Sequence, residues 1–294
     1  MIFTQGFIVV EDKNLKIAIL SGKGGTGKTL VAVNLASVSD RSMYVDCDVE
    51  EPNGHLFFKP QNIEKELVHV KIPVIDKDLC SGCRKCVDFC KFNALAFIED
   101  KPYIFENICH SCGGCTLVCP EKAIKEKDVS IGEVRRGISE NVSVHSGIMN
   151  TGIASGVPII KRLLEKKNVD KGIPVFIDCP PGNSCIVMES IQDADYCILV
   201  AEPTIFGAHN LALVYDLVKL FKKPHGVVLN KNLKGDNPIE KFCLEKNIPI
   251  LIDIPFDQEL GELNSNAKIA VRENSKYKKM FAALLERLMK EVQT

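Results

Sequence analysis

The sequence predicts an α/β fold: a doubly wound, mostly parallel sheet interrupted by a small, cysteine-rich α+β module. Three observations carry this. Short continuous apolar runs alternate with helical patterns along most of the 294 residues, as strands do when crossover helices cover both faces of a parallel sheet. A glycine-rich loop joins the first such run to the first helix. Eight of the 13 cysteines fall between Cys80 and Cys119, where the alternation stops.

The elements follow in order. Lys16 to Leu20 is a strand that runs into the loop Ser21–Gly27, and a helical pattern extends from Lys28 to about Ser37. Met43 to Asp46 is a second buried strand. From about Lys71 to Lys125 the chain repeats itself: Cys80, Cys83, Cys86 and Cys90 recur as Cys109, Cys112, Cys115 and Cys119, at a constant interval of 29 residues. Each half has an apolar stretch before its cysteines (Val74-Ile75, Tyr103-Ile104-Phe105) and an alanine after them (Ala94, Ala123), which marks an internal duplication. The α/β pattern then resumes. Helices are expected at Pro158–Lys167, His209–Phe221, Ile239–Lys246 and Lys276–Val292. Strands are expected at Val175–Asp178, Tyr196–Ala201, Gly226–Leu229 and Ile248–Ile252. The expected organisation is a first part at 1–70, an inserted module at 71–125 and a second part at 126–294.

Composition excludes several classes. The formal net charge is −1 with no block of like charge, which argues against a nucleic-acid surface. No apolar run is long enough to span a bilayer, so a membrane role is not expected. Met1 to Asn14 lacks the basic and apolar regions of an export signal. The expected location is therefore the cytoplasm, where clustered cysteines point to metal binding rather than disulfides.

Gly22-Lys23-Gly24-Gly25-Thr26-Gly27-Lys28-Thr29 fits G-x-x-x-x-G-K-[ST]. Its glycines let backbone N–H groups turn toward phosphate oxygens, and the following helix adds its positive end. Lys28 is placed to reach the β- and γ-phosphates of ATP, and the Thr29 hydroxyl to bind Mg²⁺.

The extra lysine makes this motif similar to the deviant Walker A loop of the MinD, ParA, Mrp and nitrogenase-iron-protein class of P-loop ATPases. The resemblance implies a nucleotide-sandwich dimer, with itself or a related ATPase, in which Lys23 reaches the partner's phosphates. Asp46-Cys47-Asp48 matches switch I of that class: Asp48 is implied to orient the attacking water, and Asp46 to sit near Mg²⁺. Asp178-Cys179-Pro180-Pro181-Gly182 matches the Walker B and switch II region. There Asp178 is implied to hold the Mg²⁺ shell, and the Gly182 N–H to sense the γ-phosphate. Asn230 matches the position that reads adenine. Lys23, Lys28 and Asp48 are thus the implied catalytic residues.

Cys-x₂-Cys-x₂-Cys-x₃-Cys resembles bacterial two-cluster ferredoxins, in which the fourth cysteine of each run ligates the other cluster. The resemblance implies one [4Fe–4S] cluster on Cys80, Cys83, Cys86 and Cys119, and a second on Cys109, Cys112, Cys115 and Cys90. Pro120 follows the second run, as in that family; Lys91 follows the first. Zinc is the alternative occupant.

Other features weigh less. Cys185 follows Asp178 at an offset similar to that of a bridging-cluster cysteine in the nitrogenase iron protein, but no second cysteine between Cys119 and Cys179 completes such a site. Cys47, Cys179, Cys197 and Cys243 read as small core residues. The apolar stripe of the last helix reads as core packing, with membrane attachment as the alternative. The resulting expectation is a MinD-class ATPase with an inserted ferredoxin-like domain. Its ATP switch would drive electron transfer to a redox partner whose identity the sequence does not give. Metallocluster assembly or cluster carriage is the competing function; a positioning ATPase would have no use for clusters.

Overall fold

In a computed structural model of the chain, the described residues are 14–165, 172–233, 235 and 237–293. Strands β1 (Lys16–Leu20) and β2 (Ser42–Asp46) flank helix α1 (Lys28–Val38), and the short helix α2 (Gly54–Phe58) follows. Two long strands, β3 (Gln61–Ile75) and β6 (Ile124–Ser139), bracket the cysteine module, and β7 (Val142–Met149) returns to the body. Helices α5 (Val157–Leu164), α6 (Cys185–Ile191), α7 (Ile205–Leu220) and α8 (Pro238–Lys246) alternate with β8 (Val175–Asp178), β9 (Tyr196–Ala201), β10 (His225–Asn232) and β11 (Ile250–Pro255). Helices α9 (Gln258–Ser265), α10 (Ala270–Glu273) and α11 (Ser275–Gln293) close the chain.

One nine-stranded sheet has the order β11-β10-β9-β1-β8-β2-β7-β6-β3. Every pairing from β11 to β7 is parallel. Alternate residues of β1 face opposite layers. Ala18 and Leu20 pack toward α5–α8, whereas Ile17 and Ile19 pack toward α1, α10 and α11. Fully burying a side chain the size of Leu20, Ile17 or Ile19 contributes about 1.5–3 kcal/mol relative to exposure. The stripe of α11 lies in the second layer, with Tyr277, Phe281, Leu284 and Leu288 buried. The packing reading of that helix holds, and no described helix is long and apolar enough to cross a membrane.

Several helix starts are locally encoded. Thr204, Asn237 and Asp257 cap α7, α8 and α9 by accepting backbone N–H bonds, each worth about 1 kcal/mol. Helix α7 begins at Ile205, four residues before the expected His209. The end of the expected Pro158–Lys167 helix lies outside the described residues, as does the leader up to Lys13.

The far edge of the sheet departs from the parallel plan. β6 runs antiparallel to β7 over residues 132–139, and β3 runs antiparallel to β6 along almost its whole length. Beyond Gly132 the β3–β6 pair continues without β7, forming a two-stranded arm that ends at Ile75↔Ile124. The module sits on this arm, and each strand crosses one of the expected boundaries, 70/71 and 125/126. The duplication is also structural. Helices α3 (Lys85–Phe89) and α4 (Gly114–Val118) occupy matching places, each preceded by a left-handed residue, Arg84 or Gly113. The hairpin of β4 (Leu95–Ile98) and β5 (Lys101–Ile104) repeats the tip of the arm. Ala94 and Ala123 are both buried.

Candidate nucleotide site and cysteine module

The glycine loop leaves β1 and enters α1 beneath a cavity of about 370 Å³. Gly27, at φ 95, precedes the helix, and Gly25 has φ 80. A Cβ at Gly24 or Gly25 would meet no protein atom within 4 Å, so the room above the loop is open to a ligand. The first turn of α1 carries no side-chain cap, and the Thr26 hydroxyl is buried without a partner. Donors without acceptors, at a helix start, suit phosphate. Lys28, Thr29 and Asp48 line the cavity, and Asn230, Phe256 and Leu260 lie along it as well.

Lys28 Nζ donates to Asp178 Oδ1 at 2.6 Å. Burial alone would lower this ammonium, but the charge and hydrogen bond of Asp178 more than offset it, and its pKa sits above the ordinary value. Asp46 and Asp178 are in register on adjacent strands, and both are fully buried. Burial and the Asp178 charge push the Asp46 carboxyl up to about 7, against the hydrogen bonds it accepts. Those come from the N–H groups of Asp48, Asn53 and Gly54, at 3.2, 3.1 and 2.9 Å. Asp46 thereby pins both ends of the 47–54 loop. Burial also raises Asp48, which remains partly accessible at the cavity wall.

Three residues have roles the sequence did not signal. Tyr44 donates its hydroxyl to Asp178 Oδ2 at 2.8 Å; within an apolar strand it reads as ordinary core. Glu202 pairs with Lys23 at 3.0 Å and with Lys231 at 2.6 Å. Burial works against its ionisation, yet Lys231 and Lys23 hold the carboxylate below its usual range. Lys231 also donates to the Gly25 carbonyl at 2.9 Å. The expected sensor Gly182 donates its N–H to the Ser21 carbonyl at 2.9 Å. Asn230 is buried, and its amide braces the Thr26 carbonyl at 2.7 Å. Gly22 packs against the Asn210 backbone, where a Cβ would lie 2.1 Å from the carbonyl oxygen.

In the module the cysteines group across the repeat. Cys80, Cys83, Cys86 and Cys119 line one small cavity of about 10 Å³. Cys90, Cys109, Cys112 and Cys115 line another of about 270 Å³. Burial raises the Cys86 thiol, and Cys119 and Cys80 add to the rise. Burial likewise raises Cys109, with Cys112 and Cys90 adding to it. His110 stacks on Phe92 with ring centroids 3.9 Å apart and covers the second cavity. Cys47, Cys179, Cys197 and Cys243 are buried, and Cys185 is exposed.

A crevice of about 270 Å³ separates the second cysteine loop from the body. Glu106, Cys109 and His110 form one wall, Ile153 and Ser155 the other, and Ile72 and Ile131 contribute to the floor. The loop 150–156 behind the second wall touches the 47–54 loop. The Met149 N–H donates to the Val49 carbonyl at 2.9 Å. A Cβ on Gly156 would come within 2.4 Å of Val49 and 3.8 Å of Ile186 in α6.

Residues 17–271 match the CobQ/CobB/MinD/ParA nucleotide-binding domain family. An uncharacterised protein of Methanocaldococcus jannaschii, MJ0578, is 30% identical over 280 residues, covering 93% of this chain and 96% of its own. An iron-sulfur cluster carrier protein of Pyrococcus horikoshii is 24% identical over 305 residues, covering 94% of this chain and 86% of its own. A ferredoxin of Pyrobaculum islandicum is 34% identical over 71 residues, 24% of this chain and 66% of its own. The solved structure of the cell-division ATPase MinD from Pyrococcus furiosus superposes with a TM-score of 0.59 at 20% identity, covering 95% of this chain and 99% of that one. That likeness shows the fold.

Proposed function

Because the chain belongs to the CobQ/CobB/MinD/ParA nucleotide-binding family, we propose that it is an ATPase whose nucleotide switch is coupled to electron transfer through two [4Fe–4S] clusters. Lys28 exchanges Asp178 for the β- and γ-phosphates when ATP enters. Asp178 and the Thr29 hydroxyl are an oxygen donor set suited to Mg²⁺. When bound, Mg²⁺ neutralises phosphate charge. Lys23 leaves Glu202 for the phosphates of a second subunit, the same chain or a related ATPase, and Asp48 orients the attacking water.

Cys80, Cys83, Cys86 and Cys119 hold one cluster in this reading, and Cys90, Cys109, Cys112 and Cys115 the other. The grouping of the thiols into two crossed sets of four supports it, since each set surrounds a space and crowded thiolates are relieved by cationic iron. The clusters supply one-electron chemistry.

The crevice is the observation that carries the coupling. One wall is the loop of the second cysteine set, and the other is the 150–156 loop, whose Gly156 packs against Val49, next to Asp48, and which follows Met149, the donor to the Val49 carbonyl. The second cluster is then the one nearer the switch. Anaerobic reconstitution tests the assignment: about eight irons per chain and ATP hydrolysis are expected. Four irons, or stoichiometric zinc in freshly isolated protein, overturns it. The likeness to an iron-sulfur cluster carrier protein favours cluster delivery as the second reading. Loss of both clusters to an apo-acceptor on mixing would establish that reading instead; retention supports electron transfer.

A further inference from the structure

The fully buried tyrosine beneath the nucleotide site is placed to do more than fill the core. Tyr44 lies on β2 two residues before Asp46, so both side chains leave the same face of the strand. It has no exposed surface and stacks at a tilt on Phe58, with ring centroids 4.9 Å apart. Its hydroxyl donates to Asp178 Oδ2 at 2.8 Å, while Lys28 occupies Oδ1. The carboxylate is thus held from two sides by two quite different groups. Lys28 is a charge that ATP competes for. Tyr44 is neutral, buried and fixed, and ATP has no access to it.

We propose that Tyr44 is a positioning residue for the Asp178 carboxylate, fixing its orientation toward the metal shell after Lys28 has moved to the phosphates. This inference rests on the nucleotide reading above. When Lys28 leaves, Oδ1 loses its partner in a site with no accessible surface. An unrestrained carboxylate can then rotate about two side-chain bonds, and each wrong rotamer presents the cation with a poorer oxygen. The Tyr44 hydrogen bond selects one rotamer in advance, so binding the cation need not order it.

Tyr44 also touches switch I. Gly54, the residue whose N–H binds Asp46, lies against the phenol so closely that a Cβ there would sit 2.3 Å from the hydroxyl. The tyrosine therefore occupies the junction of the Asp178 strand end and the C-terminal end of the 47–54 loop. A change of that loop on ATP binding reaches Asp178 through the ring as well as through the metal.

The test uses Tyr44→Phe in the full chain and reads nucleotide binding by calorimetry or a fluorescent ATP analogue, titrating Mg²⁺ from an EDTA-treated start. Hydrogen bonds to charged groups set the scale: the half-saturating Mg²⁺ concentration should rise about tenfold. Metal-free nucleotide affinity should stay within about twofold, because Lys28 and the glycine loop are untouched. A merely structural role would lower melting temperature and weaken both kinds of binding together. An unchanged or lower Mg²⁺ requirement, or an equal loss with and without metal, overturns the positioning role. If the wild-type protein binds nucleotide with no Mg²⁺ dependence, the nucleotide reading itself falls and takes this one with it. If wild type depends on Mg²⁺ and the variant does not differ, only Tyr44 is misassigned.

Discussion

Lys28 and Lys23 carry charge that is already paired inside the chain, and their variants should separate binding from turnover. Lys28→Ala removes the main cation for the β- and γ-phosphates and should weaken ATP binding by at least about a hundredfold, from two or more charged hydrogen bonds. Lys23→Ala should leave ATP affinity within a few-fold and abolish hydrolysis and dimer formation, read by sedimentation. Turnover by a monomeric Lys23→Ala protein at the wild-type rate would remove the sandwich reading. Asp46 adds a pH dependence. Its carboxyl, near 3.9 when unfolded, is raised to about 7 in the fold, so the folded state binds a proton more tightly than the unfolded chain. The stability it contributes is complete in acid below about pH 4 and is lost as pH rises through about 7. Nucleotide-free wild type should therefore lose melting temperature from pH 5.5 to 8 more steeply than Asp46→Asn. Equal slopes would assign the fall to other groups.

At the scale of elements, the proposed coupling runs through the arm and the loop behind it. The cysteine sets cross between the two halves of the repeat, so Cys90→Ala should disturb the cluster held mainly by the later run. Loss of signal only from the earlier cluster would mean the crossing is wrong. Gly156 abuts Val49, and its φ of −81 is open to any residue, so alanine there strains the contact and not the backbone. Gly156→Ala should leave iron content unchanged and weaken any effect of ATP on the second cluster. An ATP effect of full size in that variant would show that the signal bypasses the 150–156 loop.

At the scale of the whole molecule, coupling has to be reciprocal. If ATP shifts the potential of the second cluster, reduction must shift ATP affinity by the same free energy. A coupling of about 1.4 kcal/mol corresponds to roughly 59 mV for one electron and about tenfold in affinity. Redox titration with and without a non-hydrolysable analogue, alongside binding to oxidised and reduced protein, measures both sides. Fixed potentials and a redox-blind affinity would leave ATP only the task of docking a partner.

The sequence by itself determined the layered α/β class, the Gly22–Thr29 loop and the duplicated cysteine run. Each is written in local spacing: apolar periods, glycines that free the backbone, and a repeat interval that survives as matching helices α3 and α4. The buried roles of Cys47, Cys179, Cys197 and Cys243 were legible for the same reason, since each lies in or beside an apolar run. The antiparallel arm was not legible. Most of β3 before Ile72 is exposed or half-buried, and without a buried face its polar alternation gives no sign of its partner. Tyr44, Glu202 and Lys231 were also hidden, because their meaning lies in groups up to 206 residues away, the distance from Gly25 to Lys231 along the chain. Only the tertiary structure decided which cysteine loop faces the 150–156 loop. That depends on how strand register directs the arm and on which loop then packs across the crevice, and neither is a property of any short stretch of sequence.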